Sequence, residues 1–484
     1  MKNLTKLMLA LLLPPLVAGC TICPCTSVSG SEGPAVIYPD YKGVTVPCNI
    51  APLNFHYAMK GATTARTTFS CGGKSVRISG LKVEWGLRRW KRFIAGADTV
   101  TVAAAVKAGG RTVTDSWQFF VSPDKVDPYL TYRLIEPAYQ MWDEVQIRER
   151  CIEDFSERPL CDHAHTDNAC MNCHVHGQQR GELSLFYIRG PHGGAILNRG
   201  GELRKLNLNA PGMLSGTVYG EIHPSGHFGV FSTNIVIPGL HAKAPGRMEV
   251  YDTASDLAVA DFDENRILDL PHVAGENKLE TFPCFSPDGG SVFYCVAPSV
   301  KLPEELRTLK YSLVRAEFDS LTGQISESVD TIWSAERHNA SVCHPKVSPD
   351  GKRVMYTVSE YGTFPINHSD CTLRVTDLET GEELSLDGVK GNGSDTWHSW
   401  SSDGRWFVFA SKRGDGQYGK PWFCHLGPDG TPTKPFVLPQ KSSTFYENNL
   451  KSFNIPDLGR DKVPFSIRDI PAIFSAESEE FRRF

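Results

Sequence analysis

The chain has 484 residues, of which 40% are hydrophobic and 22% are charged, and its formal net charge is −5 at neutral pH. This length exceeds what one hydrophobic core usually serves, so we expect more than one domain, rich in turns because of its 43 Gly and 32 Pro. No basic run with interleaved aromatic residues occurs, which argues against nucleic acid as a partner.

Residues 1–19 have the pattern of an export signal. Lys2 and Lys6 form a positive start, and the apolar stretch after them is too short to span a bilayer. The stretch ends in Leu-Val-Ala-Gly before Cys20, which is typical of a lipobox, whose cysteine becomes acylated and N-terminal. We therefore predict a lipoprotein of the bacterial cell envelope, anchored by lipid on Cys20 to the outer membrane and facing the periplasm. The alternative is an ordinary signal peptide followed by a chance cysteine.

A tether and a small β domain are predicted next. Residues 20–33 are small and polar, as a tether between a lipid and a folded domain should be. Residues 34–125 contain short β-type segments separated by glycine and polar turns, which predicts a small β-sandwich. Residues 126–178 are expected to be a partly helical connector that leads to the next domain.

The end of this connector carries the pattern C-x-x-C-H, in Cys170-Met-Asn-Cys173-His174. Two thiols at this spacing can each form a thioether to one porphyrin, and the following histidine can supply an axial nitrogen. The pattern predicts one covalent heme c held by Cys170 and Cys173, with His174 as a ligand of the iron. His163 or His165 is the candidate sixth ligand.

Two other interpretations of this segment stay open. In an exported protein the two cysteines of the motif can instead form a structural disulfide. The segment is also rich enough in ligands for zinc, through His163, His165, Cys170, Cys173, His174 and His176. Outside the motif, Cys151 could bridge to Cys161, and Cys284 to Cys295.

Residues 179–456 contain an internal repeat. Its copies begin at Ser286-Pro-Asp-Gly, Ser348-Pro-Asp-Gly and Ser401-Ser-Asp-Gly, each followed by alternating apolar residues, with a degenerate copy at His223-Pro-Ser-Gly. The copies lie roughly 50 to 60 residues apart, which is enough for a four-stranded blade with loop insertions. A blade cannot bury both faces alone, so several must close into a ring. We predict an all-β fold with five or six blades.

The repeat resembles that of the TolB-like β-propeller family, which has the same Ser-Pro-Asp-Gly turn. The resemblance is clearest over residues 280–425 and extends to 180–455. It implies that one mouth of a central channel is lined by His223, His344, Trp397 and His398. These side chains could bind a ligand or face the heme, and the alternative is that they satisfy backbone groups between blades. The aspartates of the turns, Asp288, Asp350 and Asp403, are expected to hold their own turns.

Residues 457–484 are charged and are expected to form a surface tail. Together these patterns predict an exported, lipid-anchored protein with a β-sandwich, a TolB-like propeller and one heme c. The predicted function is periplasmic electron transfer with an envelope redox or protein partner. The alternative is a non-heme envelope interaction scaffold whose motif cysteines form a disulfide or a zinc site. No G-x-S-x-G elbow, phosphate loop or H-E-x-x-H occurs, and the sequence identifies no catalytic residue.

Overall fold

The computed structural model describes residues 33–137, 144–240, 248–271, 273, 275 and 277–484. The predicted signal peptide, Cys20 and all of the tether except Gly33 lie outside the described residues. The described chain is mostly β-structure, as predicted, and its strands form eight sheets. Within these residues, no helix is long and apolar enough to cross a bilayer.

Two sheets and one helix form the N-terminal part. The strands are Ile37–Tyr38 (β1), Thr45–Pro47 (β2), Phe55–Tyr57 (β3), Ala62–Cys71 (β4), Lys74–Ser79 (β5), Lys82–Val83 (β6), Thr99–Ala108 (β7) and Arg111–Ser122 (β8). Strands β1, β3 and β6 form one sheet, and the other has the order β2-β8-β7-β4-β5. Helix Leu87–Ile94 (α1) packs Trp90 and Phe93 onto Trp85, with ring centroids 5.3 and 5.1 Å apart. The buried apolar side chains lie on one face of the helix and the exposed basic ones on the other, so the apolar face packs against Trp85.

The segment predicted as a partly helical connector contains three strands. They are Tyr129–Ile135 (β9), Gln146–Cys151 (β10) and Glu157–Asp162 (β11), and a short 3-10 helix at His163–His165 follows. The strands pair antiparallel in the order β11-β10-β9. The prediction of a connector fails because β9 has a buried partner strand that comes from the far end of the sequence.

Five sheets of consecutive antiparallel strands follow. Their strands, sheet by sheet, are Met171–Gly177 (β12), Arg180–Ile188 (β13), Gly194–Arg199 (β14) and Glu202–Asn207 (β15); Thr217–Ile222 (β16), Phe228–Leu240 (β17), Met248–Asp261 (β18) and Arg266–Leu268 (β19); Lys278–Phe285 (β20), Ser291–Pro298 (β21), Ser312–Asp319 (β22) and Gln324–Trp333 (β23); Ser341–Val347 (β24), Arg353–Ser359 (β25), Thr372–Asp377 (β26) and Glu383–Leu384 (β27); Asp395–Trp400 (β28), Trp406–Ser411 (β29), Lys420–His425 (β30) and Phe436–Val437 (β31). Short helices at Leu306–Thr308, Ala335–His338 (α2), Pro365–Asn367 and Phe445–Asn448 (α3) lie in the connections.

The predicted Ser-Pro-Asp-Gly type turns join the first two strands of the last three sheets. Each aspartate accepts a hydrogen bond from the backbone N–H two residues further on: Asp288 from Gly290 (3.0 Å), Asp350 from Lys352 (3.1 Å) and Asp403 from Arg405 (2.9 Å). This local bonding fixes the turn that starts the second strand. The role predicted for the three aspartates is confirmed.

The strand Ser452–Gly459 (β32) completes the sheet of β9–β11. It pairs antiparallel with β9, with Phe453 opposite Leu134 and Leu458 opposite Leu130. The first strands of the sheets, β12, β16, β20, β24, β28 and β32, contact one another in a closed cycle. This arrangement of sheets around an axis is that of a β-propeller. It begins at Tyr129, whereas the sequence analysis placed its start at residue 179.

Residues after β32 are packed against the sheets, so the prediction of a surface tail was wrong. A short helix at Ile467–Asp469 leads into Ile470–Ser475 (α4), and Glu479–Glu480 (β33) and Arg482–Arg483 (β34) follow. Strands β33 and β34 pair in parallel with β15 and β19, at the outer edges of two sheets. Between them, Phe481 is only 3% exposed and belongs to the apolar core shared by these sheets. One buried ring therefore anchors a segment that is otherwise charged.

We expect Phe481→Ala to destabilise the protein by about 3–5 kcal/mol, because it removes a buried ring and leaves a cavity between two sheets. The matched control is Phe484→Ala, since that ring is 61% exposed and its removal should cost less than about 0.5 kcal/mol. Urea unfolding followed by tryptophan fluorescence measures both. Equal unfolding midpoints for the two variants would show that the C-terminal segment does not anchor the sheets.

Candidate functional site

Each first strand of the six propeller sheets is interrupted by a bulge in which one residue has a left-handed backbone. The six residues are Cys173, Tyr219, Phe282, His344, Trp397 and Ile455, with φ between 47° and 54°. The pairing with the second strand shifts register at the same point in every sheet. None of the six is glycine, and this conformation costs of order 1–3 kcal/mol per residue. A strained position thus recurs once per sheet, as is common beside functional sites.

The bulges direct aromatic side chains into the central channel. Trp397 stacks on His344 with ring centroids 3.7 Å apart, and Phe282 contacts both Tyr219 and His344 at 4.5 Å. We call Tyr219, Phe282, His344 and Trp397 the aromatic plug. The space left beside the plug is a cavity of only about 60 Å³, which Cys173 and His174 also line. The plug therefore fills the channel at this level.

A charged layer lies next to the plug, two residues after the bulged positions. The ammonium group of Lys346 donates to the carboxylate of Glu221, and the carboxylate of Asp457 accepts the backbone N–H of His176 at 2.8 Å. Burial alone would lower the pKa of Lys346, but the attraction of Glu221 and Asp457 raises it above its usual value. Lys346 is therefore a fixed positive charge inside the channel.

Three histidines line the same cavity and are held neutral. Burial lowers the pKa of His174 to about 4 and that of His398 to about 3, and it lowers the pKa of His344 well below its usual value. His398 donates through Nε2–H to the carbonyl oxygen of Met355, 3.0 Å away. Neither ring nitrogen of His174 makes a hydrogen bond of full geometry in the described part of the chain, and the backbone of Ile455 is a polar group near the ring. His174 thus presents an uncharged imidazole with a free lone pair.

The C-x-x-C-H motif occupies one of these bulges. Cys170 lies half-buried just before β12, and Cys173 and His174 lie within it. His163 and His165 lie in the preceding short helix, and His165 Nδ1 bonds to Asp162 at 2.6 Å. Neither of these two residues lines the channel cavity.

The predicted sulfur pairings are not formed. The described residues include eleven cysteines, all of them free thiols. This group includes Cys151, Cys161, Cys284 and Cys295, as well as both cysteines of the motif. In the hairpin β20–β21 the register sets Cys284 opposite Phe293 and Cys295 opposite Thr281, so the two thiols do not face each other across the strands.

The space around His174 does not fit a porphyrin. Pockets for drug-sized ligands measure about 300–1,000 Å³, several times the space beside His174. A heme on this histidine would need the rings of the aromatic plug to move apart. Zinc also lacks a site, because no group of three or more His, Cys, Asp or Glu side chains among the described residues is arranged to hold a metal ion.

Of the four predicted channel residues, the structure brings together His344, Trp397 and His398. His223 is elsewhere: it lies in the turn between β16 and β17, where its Nε2 is 3.2 Å from the carbonyl oxygen of Gly289. Its ring packs against Phe285 and Phe318 between two sheets, which is the structural alternative that the sequence analysis left open. His223 occupies the position that a serine has in the other turns.

Sequence reasoning missed Tyr219, Phe282 and Ile455, although the spacing of the repeat contains the signal. Pro283 and Pro345 each lie four residues before the proline of their turn, and Gly220 lies four before Pro224. The bulged residue directly precedes each of these three residues in the sequence. Aligning the copies on the turns therefore identifies every bulge that precedes a recognisable turn.

A second and larger cavity, of about 510 Å³, opens between the sheet β12–β15 and the sheet β16–β19. We call it the mouth cavity; Tyr219 of the aromatic plug forms part of its wall. Its lining combines amides, hydroxyls and glycines, with Asn172, Tyr187, Arg189, Asn207, Asn209, Ser215, Gly216, Thr217, Tyr219 and Asn234 among them. When the Asn172 amide is oriented with its oxygen toward Arg189, the orientation that satisfies both groups, this oxygen accepts from the guanidinium at 2.9 and 3.0 Å. This cavity falls in the size range of ligand sites.

Comparisons with known proteins find solved structures of low similarity. No protein-family model matches the sequence, and no curated protein matches it. A puromycin-hydrolyzing peptidase of Mycobacterium tuberculosis aligns over 82% of this chain with 13% identity and a TM-score of 0.38. This chain spans 57% of that peptidase.

Two further solved structures are similar at the same level. An oligogalacturonate lyase in complex with manganese aligns over 63% of this chain and 83% of its own, with 14% identity and a TM-score of 0.33. A quinonprotein alcohol dehydrogenase-like protein from Bacteroides thetaiotaomicron aligns over 88% of this chain and 99% of its own, with 8% identity and a TM-score of 0.31. The neighbours are propeller-like proteins. Similarity this low carries no argument about function, and the fold assignment rests on the strand pairing.

The neutral histidines predict a pH dependence of stability that one substitution isolates. In the folded state the pKa of His398 is about 3, whereas an unfolded histidine titrates near 6.5, so the unfolded state binds more protons between these values. Stability from His398 is therefore present above about pH 6.5 and is lost as the pH falls, by about 1.4 kcal/mol per pH unit. His398→Gln removes this loss.

The measurement is the difference in unfolding free energy between the wild type and His398→Gln at several pH values between about 7 and 5. Taking a difference cancels the buried acids Asp252 and Glu280, whose pKa values burial raises to about 7 and about 8 and which act in the opposite sense in both proteins. His192→Gln, in an exposed loop, is the control and should follow the wild type. A constant difference across this range would contradict a neutral, buried His398.

Proposed function

We propose that this chain is an exported, lipid-anchored binding protein of the cell envelope, built as a six-bladed, TolB-like propeller. It holds a small polar ligand in the mouth cavity, next to the aromatic plug. The observation that carries the proposal is the mouth cavity itself, which has the volume and the mixed polar lining of a ligand site.

The blade number and family are supported by the sheets and by the repeat. Six sheets have first strands that contact in a cycle, and the strand β32 supplies the first strand of the sheet whose other strands are β9–β11. Joining the two ends of the ring in one sheet is a way to hold a closed ring together without a free edge. The turns at Ser286, Ser348 and Ser401 support the resemblance to TolB-like propellers.

The small free volume of the channel supports a role in binding at the mouth cavity. The aromatic plug leaves about 60 Å³, so a ligand of ordinary size has room in the mouth cavity and not beyond the plug. Ligand sites are concave and carry a few convergent polar groups among apolar ones, and the mouth cavity has both. The envelope location is supported by the lipobox at Cys20, which lies outside the described residues. An envelope protein could dock on the same face.

The mouth cavity can be filled without disturbing the backbone. A Cβ on Gly216 would meet nothing closer than 3.9 Å, and this glycine does not have a left-handed φ. We expect Gly216→Trp to fill the cavity and abolish ligand binding, whereas Gly216→Ala adds only a methyl group and should keep it. Thermal shift assays with a panel of neutral and acidic mono- and disaccharides measure binding, because a ligand at a hundred times its Kd stabilises by about 2.7 kcal/mol.

Two outcomes of this assay would contradict a ligand site in the mouth cavity. One is that no saccharide of the panel raises the unfolding temperature of the wild type. The other is that Gly216→Trp responds to the saccharides as Gly216→Ala does.

A second candidate function is periplasmic electron transfer by one covalent heme c. The observation in its favour is His174, whose neutral imidazole makes no hydrogen bond of full geometry among the described residues and follows two free thiols at the right spacing. When bound, such a heme would supply a one-electron redox centre. Cys170 and Cys173 would hold it covalently and His174 would orient it. The small volume beside His174 argues against this candidate.

Absorbance separates the two candidates. If the heme is present, protein made in a host with c-type heme maturation will show a sharp α-band on reduction that survives denaturation. The variant Cys170→Ser/Cys173→Ser will lack it, and His174→Ala will keep the covalent heme but shift its spectrum, because only the axial ligand changes. A colourless wild-type protein would rule out the heme and leave the binding function.

A further inference from the structure

The mouth cavity has positive charge and no negative charge. Among the described residues that line it, Arg189 is the single charged one, and no aspartate or glutamate is present. The guanidinium of Arg189 is exposed, and its hydrogen bonds to Asn172 fix its position at the wall. It forms no ion pair within the described part of the chain.

A second guanidinium, that of Arg133, lies outside the lining of the mouth cavity but within electrostatic range of Arg189. Arg133 is on β9, opposite Asn454 of β32, and its Nε is buried without a hydrogen-bond partner among the described residues. Burial lowers the pKa of Arg133, and the positive charge of Arg189 lowers it further. The ionisable groups that act on Arg133 most strongly are Cys173, Cys170, Tyr219 and Arg189, and none of them is a carboxyl group.

Two of the neighbouring groups, Cys170 and Tyr219, do not neutralise this pair. Burial raises the pKa of the Cys170 thiol and that of the Tyr219 hydroxyl, so both are uncharged at neutral pH. Two partly buried arginines elsewhere in the chain do have acidic partners: Arg158 bonds to Glu149 at 2.6 Å and Arg413 to Asp395 at 2.9 Å. Two like charges held together without a counter-charge are unfavourable, and an anion beside them removes that cost.

Asn234, which forms part of the cavity wall, has a buried acceptor that lacks a donor. Asn234 is 93% buried, and its amide nitrogen donates to Asp252 (2.8 Å) and Thr281 (3.2 Å). These two bonds orient the side chain, and its amide oxygen has no partner within the described residues. A buried carbonyl oxygen without a donor is costly, and a ligand hydroxyl can supply the missing hydrogen. The further amides and hydroxyls of the wall, on Asn209, Ser215 and Thr217, suit the same kind of ligand.

We propose that the mouth cavity binds a hydroxyl-rich anion, an acidic saccharide, whose carboxylate or sulfate lies against Arg189, with the positive charge of Arg133 behind the cavity wall, while a hydroxyl donates to Asn234. Arginine suits this role because its planar guanidinium binds carboxylate and sulfate through two parallel hydrogen bonds. The ring of Tyr219 supplies an apolar wall for the sugar. This assignment rests on the proposed function and adds the chemical class of the ligand.

Calorimetric titration of the full chain in detergent tests this class. The probes are D-glucuronate, glucose 6-sulfate and their neutral parent D-glucose. The protein is produced without c-type heme maturation, so that no porphyrin carboxylate competes for the arginines. We expect at least one of the two anions to bind ten times more tightly than glucose or better, and the difference to shrink at high salt. A preference for glucuronate identifies a carboxylate ligand, and one for glucose 6-sulfate identifies a sulfated ligand.

Variants assign the preference to particular side chains. Arg189→Gln should remove most of the anion preference, Arg189→Lys should retain part of it, and Arg133→Gln should weaken anion binding if its unfolding temperature is unchanged. Asn234→Ala should weaken the acidic and neutral sugars by the same factor. The exposed Arg337→Gln is the matched control.

The outcomes keep this inference and the proposed function distinct. Equal affinity for glucose and both anions, or an anion preference that survives in Arg189→Gln and in Arg133→Gln, overturns the anionic class and leaves the mouth cavity as a binding site. Absence of binding by all three probes, together with a negative saccharide panel, overturns both.

Discussion

The pairing of β32 with β9 is the contact on which the rest of the structure depends. It joins residues 452–459 to residues 129–135, so that the strand that ends the ring completes the sheet that begins it. Without it the cycle of first strands would have two open edges, and the channel would have no closed wall. The same pairing sets Asn454 opposite Arg133, which brings that guanidinium toward Cys173 and Arg189. The pairing of β32 with β9 therefore both closes the ring and sets the position of the Arg133 charge.

Once the ring is closed, the repeated bulge decides what the channel contains. A regular strand would turn its side chains alternately into the two faces of its own sheet. The left-handed residue in each first strand interrupts this alternation, and at four of the six positions the side chain is part of the aromatic plug. The plug separates the mouth cavity from the layer of Glu221, Lys346 and Asp457. One side of the channel thus has unpaired arginines, and the other has an internally paired lysine.

The C-x-x-C-H motif coincides with the bulge of strand β12. Cys173 is the bulged residue of its strand, and His174 stands where Pro345 and Pro456 stand in other sheets. The repeat therefore requires a special backbone here whether or not a heme is attached. Because the neighbouring positions in the ring are bulky, the space beside His174 is set by residues far away in sequence. Motif spacing alone carries no information about that space.

The sequence by itself determined the predominance of β-structure and the turns held by Asp288, Asp350 and Asp403, which follow from hydrogen bonds and alternation within a few residues. The place of His344, Trp397 and His398 in the channel was implied by the resemblance of the repeat to TolB-like propellers. The sequence could not show that residues 129–135, 146–151 and 157–162 are strands or that Phe481 anchors the C-terminal segment, because their partners lie hundreds of residues away or on the edges of other sheets. Nor could it bring Arg189 and Asn234 to one cavity, since they belong to two different sheets. Only tertiary structure decided which charges meet there, because charge and volume in a cavity depend on every chain segment that forms its wall.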